Sequence, residues 1–298
     1  MNFLSPAEVA TAAANTGKGK ATLPIGKMLI LGILAGVYIG FGANLATTVG
    51  AGWAPEWADS GVNKFFFGAV FSVGLMLVVV GGAELFTGNN MFLTISALNG
   101  QASWGGLLYN WVVVFIANFI GSLLLVAIVF AAGYYAKADG SLTAIGVKAV
   151  AITKGKLTLD WGTAFFRGIL CNWLVCMAVW LAVASKDVIG KIFSCFFPIM
   201  AFVTSGFEHS VANMYFIPMG IQVATANPAA VTAVETLNMA SPEAVTSLFT
   251  WGNFITGNLI PVTLGNIVGG GLFVAAFYWF VFLKKSGASV NESKSAKA

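Results

Sequence analysis

Three ionisable side chains stand where the sequence is otherwise apolar: Glu84, Glu208 and His209. A charge at the centre of a membrane helix costs roughly 2.5 to 3.5 kcal/mol on insertion scales, so each needs a reason to be there. Around Glu84 the chain reads Gly81-Gly82-Ala83-Glu84-Leu85-Phe86-Thr87-Gly88-Asn89-Asn90, and around Glu208 it reads Thr204-Ser205-Gly206-Phe207-Glu208-His209-Ser210. Both stretches read as helix breaks. Glycine admits the unusual backbone angles of a break, and irregular backbone survives at membrane depth only inside protein or beside a watery cavity. His209 is the single histidine of the chain, and histidine is the side chain whose ordinary titration lies near neutral pH. Proton donation or relay is therefore the chemistry to expect there. A structural role stays open for both glutamates, with each carboxylate capping the N–H groups that a helix break frees. One histidine and two distant carboxylates are a poor metal set, and Cys171, Cys176 and Cys195 lie in apolar runs as small hydrophobes, so no metal and no cofactor are expected.

The elements that must hold these residues are membrane helices. Of 298 residues 58% are apolar and only 9% charged, against about 25% charged in soluble domains. Disorder, collagen and a disulfide scaffold are excluded, and 15 basic residues against 11 acidic, spread along the chain, make no nucleic-acid surface. Six segments reach the roughly 20 apolar residues that a bilayer crossing needs: about 28–50, 64–86, 105–132, 162–184, 190–219 and 251–283. Ahead of them, Ser5-Pro6-Ala7-Glu8 has the N-cap, first-turn proline and third-position glutamate of a helix start. That helix is expected to run to about Asn15 and to lie on the membrane surface. The organisation expected is an N-terminal cytoplasmic surface helix (1–27), a six-helix channel domain (28–283) and a disordered tail (284–298).

Six crossings put both termini on one side. Lys18, Lys20, Lys27, Lys186, Lys191, Lys284, Lys285, Lys294 and Lys297 fall there, against Lys64, Lys137, Lys148, Lys154, Lys156 and Arg167 opposite, which places both termini in the cytoplasm.

The spans repeat. Gly32-Ile33-Leu34 recurs as Gly168-Ile169-Leu170, Gly82-x-Glu84 with Asn89 recurs as Gly206-x-Glu208 with Asn213, and Ala117-Asn118-Phe119-Ile120-Gly121 resembles Gly265-Asn266-Ile267-Val268-Gly269. Three matches in one order argue for duplication. A unit of three spans is odd, so the second copy inserts inverted, and broken helices two and five then face the midplane. Half-helices starting near Thr87 and His209 would aim free N–H groups and positive dipole ends at the centre, which suits an anion. Asn227-Pro228-Ala229 spells the aquaporin triplet, but it occurs once, in a polar loop, and reads as plain loop.

These residues resemble the formate/nitrite transporter family of anion channels. The resemblance rests on Gly82-Ala83-Glu84-Leu85-Phe86-Thr87, on Gly168-Ile169-Leu170-Cys171-Asn172-Trp173-Leu174-Val175-Cys176, on the ten residues from Ser205 to Met214, and on Asn258-Leu259-Ile260-Pro261-Val262-Thr263-Leu264-Gly265-Asn266. It implies an aquaporin-like all-helical subunit, a homopentamer, and one pore per subunit with two apolar constrictions around a central histidine. Carried across by position, the histidine is His209, the threonine opposite it Thr87, and the pore-lining polar residues Asn172 and Glu208. The constrictions are expected among Phe71, Leu75, Leu85, Phe86 and Phe202. An anion-attracting lysine outside the pore matches Lys156, twelve residues before Gly168, with Lys148 and Lys154 as neighbouring candidates.

The function expected is passage of small monovalent anions of weak acids across the cell membrane, formate first, with nitrite or hydrosulfide as the alternatives and His209 as proton relay. A membrane enzyme using Glu208 and His209 as an acid/base pair lacks a nucleophile or cofactor motif. A neutral-solute pore is the remaining rival. The N-terminal helix is expected either to modulate opening or simply to anchor the chain.

Overall fold

The computed structural model describes residues 3–284, so the expected C-terminal tail lies outside the described residues from 285 onward. Ten principal helices follow in order: α1 (Pro6–Ala21), α2 (Ile25–Val49), α3 (Gly61–Gly81), α4 (Phe86–Leu98), α5 (Trp104–Ala131), α6 (Ala144–Leu157), α7 (Trp161–Ala184), α8 (Val188–Thr204), α9 (Ser210–Ala226) and α10 (Asn253–Phe282). Five of these, α2, α3, α5, α7 and α10, are long and apolar enough to cross a membrane, and α8 is a shorter apolar helix. Helix α9 follows α8 after a break, consistent with the fifth span read from the sequence. Helix α10 is widened to π geometry over Asn253–Leu259 and Val268–Ala276.

The two halves match element for element. Helices α1 to α5 correspond to α6 to α10, so each half holds the three spans read from the sequence, the second of them broken in two, with a leading helix in front. Helix α2 packs on α5 as α7 packs on α10, and α1 lies along α4 as α6 lies along α9. The leading helix of each half also had a sequence signal: Lys20 precedes Gly32 by the same twelve residues that separate Lys156 from Gly168.

The N-terminal helix differs from expectation in length. Its capping box forms as read, with the Ser5 N–H donating to Glu8 Oε2 at 2.7 Å and the Glu8 N–H to Ser5 Oγ at 3.4 Å. It continues past Asn15 to Ala21 because Val9, Ala10, Ala13, Ala14 and Gly17 make a buried stripe of small residues. Tertiary packing of this kind, more than propensity, stabilises a helix. At Gly17 a Cβ would run into the Phe92 carbonyl of α4, so this face of the helix is packed tightly on α4 while Ala7, Glu8, Thr11 and Asn15 on the other face stay exposed.

Both breaks turn on a glycine in the left-handed region, Gly82 (φ 79°) and Gly206 (φ 72°), where a side chain would be strained. Asn227 of the aquaporin-like triplet caps the short helix Pro228–Thr232, its Oδ1 accepting the Ala230 N–H at 3.0 Å. The triplet, read as plain loop, thus opens a short helix, with Asn227 as its cap.

Candidate functional site

Each break is stitched by the same asparagines. Asn118 of α5 accepts the Phe86 N–H on Oδ1 at 2.9 Å and donates from Nδ2 to the Gly32 and Glu84 carbonyls at 2.8 and 2.9 Å. Asn266 of α10 accepts the Ser210 N–H at 2.9 Å and donates to the Gly168 and Glu208 carbonyls at 2.8 and 3.0 Å. Buried backbone groups must find partners, and here amide side chains supply them. The glutamates, read as possible caps, are left for another task.

That task is a charge network. Lys20 Nζ lies 2.5 Å from Glu84 Oε1, and Lys156 Nζ lies 2.9 and 3.0 Å from the two Glu208 oxygens. Asn89 Nδ2 reaches Glu84 Oε2 at 2.8 Å and Asn110 Oδ1 at 2.9 Å, while Asn213 Nδ2 reaches Glu208 Oε2 at 2.6 Å and Asn258 Oδ1 at 2.7 Å. The circuits close when Asn110 donates to the Lys20 carbonyl and Asn258 to the Lys156 carbonyl. Even the rings beneath the ammonium groups correspond: Phe92 lies 5.6 Å from Lys20 Nζ, and Phe216 lies 5.6 Å from Lys156 Nζ. A buried carboxylate without its cation would be strongly unfavourable, so each pair fixes its leading helix against the break.

Each network opens on a cavity. On the side of the termini, a cavity of about 270 Å³ is lined by Thr16, Lys20, Leu75, Val78, Val79, Glu84, Leu85, Asn89, Val179 and Lys191, among others. On the opposite side, one of about 170 Å³ is lined by Phe67, Phe71, Lys156, Phe202, Glu208, His209, Asn213 and Phe216, among others. The pair the sequence singled out joins residues beside the two cavities: His209 lines the opposite one, its Nε2 2.9 Å from Thr87 Oγ1, and Leu85 and Gly88, which flank Thr87 in the chain, line the terminal-side one. The Ala212 N–H donates to His209 Nδ1 at 3.0 Å. A ring nitrogen that accepts carries no hydrogen, so the ring proton sits on Nε2 and is directed at Thr87. His209 thus caps α9 with one nitrogen and offers a proton with the other.

The expected constriction residues divide. Leu75 and Leu85 line the terminal-side cavity. Phe71 and Phe202 line the other, their ring centroids 6.0 Å apart, with Phe202 5.9 Å from the His209 ring. Phe86 is not brought to either cavity; it packs at 5.0 Å on Phe115 and 6.2 Å on Trp111, because one further step round the helix from Leu85 turns it away. Asn172 is also absent from both linings. It is fully buried and braces α4 to α10, donating to the Thr87 carbonyl at 3.2 Å and the Asn266 carbonyl at 2.7 Å. Lys156 lines the cavity opposite the termini. Of its neighbours, Lys154 is spent on the Leu237 carbonyl at 2.7 Å, and Lys148 lies over the Phe67 ring.

The sequence reading gave no role to Lys20, Lys191, Asn110 or Asn258. A signal existed for three of them, since the Asn110 to Asn118 spacing equals that of Asn258 to Asn266, and Lys20 repeats Lys156.

The description Formate/nitrite transporter belongs to a family model that matches residues 7–280. The chain belongs to this family. A probable formate transporter of Methanothermobacter thermautotrophicus is 46% identical over 95% of this chain and 99% of its own length. The formate channel FocA of Escherichia coli strain K12 is 39% identical over 96% of each. A solved pentameric formate channel with formate bound superposes with a TM-score of 0.73 at 39% identity, covering 87% of this chain and 98% of the other. As a member of the formate/nitrite transporter family, the chain is a multi-pass membrane transport protein.

Proposed function

We propose that the protein is a homopentameric channel that passes formate and similar small anions of weak acids through each subunit, with both termini in the cytoplasm. The observation that carries this reading is the His209–Thr87 pair beside two cavities, each walled by a lysine, a glutamate and an asparagine. Formate leads among the substrates because the relatives at 46% and 39% identity bear that name.

A small anion entering either cavity meets an ammonium group at its rim and the apolar Leu75, Leu85, Phe71 and Phe202 beyond. A bare charge crosses such a ring at high cost, and protonation removes that cost. The Nε2–H of His209 and the Thr87 hydroxyl are the donors that meet the anion there. For His209 to hand over a proton it must first gain one, and both ring nitrogens then donate. The Ala212 N–H can no longer bond to Nδ1, so proton uptake is tied to release of the ring from the head of α9. Transfer to formate yields neutral formic acid and returns the ring to its neutral form.

Uptake of formate, nitrite and hydrosulfide into proteoliposomes across pH tests the proposal. Formate entry that rises as external pH falls is the expected result. Passage of glycerol or water without any anion flux would replace the anion channel by a neutral-solute pore.

A further inference from the structure

The two cavities are built on one plan but do not carry the same charge. Around the side opposite the termini, Lys156 and Glu208 cancel. On the terminal side Lys20 and Glu84 cancel in the same way, and Lys191 is left over. Lys191 makes no ion pair among the described residues; its ammonium group donates to the Ala182 carbonyl at 2.7 Å. Asp187, one turn earlier on α8, turns Oδ1 to its own helix at the Gly190 N–H. The residue spacing that relates Glu84 to Glu208 and Asn89 to Asn213 relates Phe67 to Lys191. Phe67 lines the opposite cavity in the corresponding place, stacked at 6.0 Å on Phe216. Where one mouth has an aromatic ring, the other has a cation.

From this asymmetry we infer that Lys191 docks the permeating anion in the terminal-side cavity and gives the two mouths unequal affinity for it. The inference rests on the reading of the protein as an anion channel. A lysine bound only to a carbonyl keeps two donors and its full charge for a ligand. The Lys20 ammonium shares the same cavity but is balanced by Glu84, so an anion there would find its uncompensated charge at Lys191. On the other side the lining itself holds one cation, balanced at 2.9 Å, and Lys148 stands outside that lining, 5.9 Å from the Phe67 ring.

The test is half-saturation by side. Proteoliposomes are sorted by the accessibility of an N-terminal tag, and formate entry is measured at zero membrane potential from the terminal side and from the opposite side. Maximal rates are not the readout, because a passive pore must keep the same ratio of maximal rate to half-saturation in both directions. Wild type is expected to half-saturate at lower formate from the terminal side. Lys191→Gln is expected to raise that value alone by about threefold to fivefold, the size of one partly exposed charge interaction. Lys191→Arg is expected to restore it. Added inert salt should raise the terminal-side value in wild type and leave Lys191→Gln unmoved, since screening acts on the lost charge. A Lys191→Gln protein whose half-saturation shifts equally from both sides, or from neither, overturns the docking role while leaving the channel standing. A wild type that passes no formate from either side overturns the channel and the docking role together.

Discussion

Leu85 and His209 occupy the same station in the two halves of the protein, each immediately ahead of the second segment of a broken helix, yet only His209 bonds that helix. His209 Nδ1 accepts the Ala212 N–H, whereas the Leu85 side chain offers no acceptor to the head of α4. The duplicated scaffold therefore places one polar and one apolar residue on matching walls of the path. The proton step proposed for His209 belongs to the α9 side, and the apolar Leu85 faces the terminal-side cavity from the α4 side.

His209→Asn separates the two tasks of the histidine. Asparagine is a good N-cap and can keep the Ala212 bond, so assembly and thermal stability are expected to stay near wild type. It does not titrate, so formate uptake should lose its steep dependence on pH. His209→Phe removes the cap as well, which costs about 1 kcal/mol, and is expected to block transport at every pH. Equal pH profiles for wild type and His209→Asn in matched liposomes would reduce His209 to a structural residue.

Thr87→Val removes the oxygen that receives the Nε2–H of His209. Loss of one hydrogen bond is worth about 1 kcal/mol, or about fivefold in half-saturation for formate. The shape of the pH profile is expected to be unchanged. A Thr87→Val protein with wild-type half-saturation would remove Thr87 from the substrate path.

Much of this arrangement was open to reading before any coordinates. A lone histidine beside a glutamate in an apolar run, and the recurrence of Gly82-x-Glu84 as Gly206-x-Glu208, located both breaks. Lys20 was hidden because it lies in a polar leader, where a lysine looks like a topological marker, and only its pairing with Glu84 across 64 residues gives it meaning. Lys191 was hidden for the same reason. Phe86 was misplaced because a break resets the helical phase, so adjacent residues such as Leu85 and Phe86 point to different walls. Asn172 was misread because an asparagine that braces two backbones and one that faces a pore look the same in sequence. The tautomer of His209 follows from a single backbone N–H that no pattern of residue types reports.

The first turn of α1 should be sensitive to acid. Glu8 accepts the Ser5 hydroxyl and N–H, and these bonds, the hydroxyl's foremost, hold its carboxyl below the usual carboxylate value. A lowered folded value means that the stabilisation is present above the ordinary carboxylate range and is lost as pH falls through the lowered value. Amide exchange at Val9 and Ala10 is expected to accelerate over that interval, after correction for intrinsic rates. In Glu8→Gln the corrected exchange should be flat with pH. A wild-type profile as flat as that of the glutamine variant would show that the capping box does not hold the helix start.

Gly17→Leu is expected to lift α1 from α4, because a Cβ at this position already meets the Phe92 backbone. Overpacking of this kind costs typically 1 to 3 kcal/mol. The helix carries Lys20, so its displacement also withdraws the cation from Glu84. Limited proteolysis should cut within residues 6–21 in the variant and spare them in wild type. Resistance equal to wild type would mean that α1 is held by contacts other than its small-residue stripe.

The buried pair of Lys20 and Glu84 is open to a double-mutant cycle. Each partner is largely shielded, with side-chain exposures of 16% and 8%, so Lys20→Met leaves a carboxylate with only Asn89 beside it, and Glu84→Gln leaves an ammonium group without a counter-charge. Breaking one partner of such a pair costs about 3 to 5 kcal/mol, whereas replacing both partners by neutral groups is often close to neutral. Each single variant is therefore expected to melt well below wild type in detergent, with the Lys20→Met/Glu84→Gln double variant recovering most of the loss. The cycle on Lys156→Met and Glu208→Gln should give a coupling of the same sign, because the same asparagine circuit surrounds that pair. Deletion of residues 1–20 removes Lys20 and is expected to match Lys20→Met in melting temperature or fall below it. If Lys20→Met melted with wild type while Lys156→Met did not, the leading helix would be an anchor only, and the charge pairing of the two halves would be functional in one of them alone.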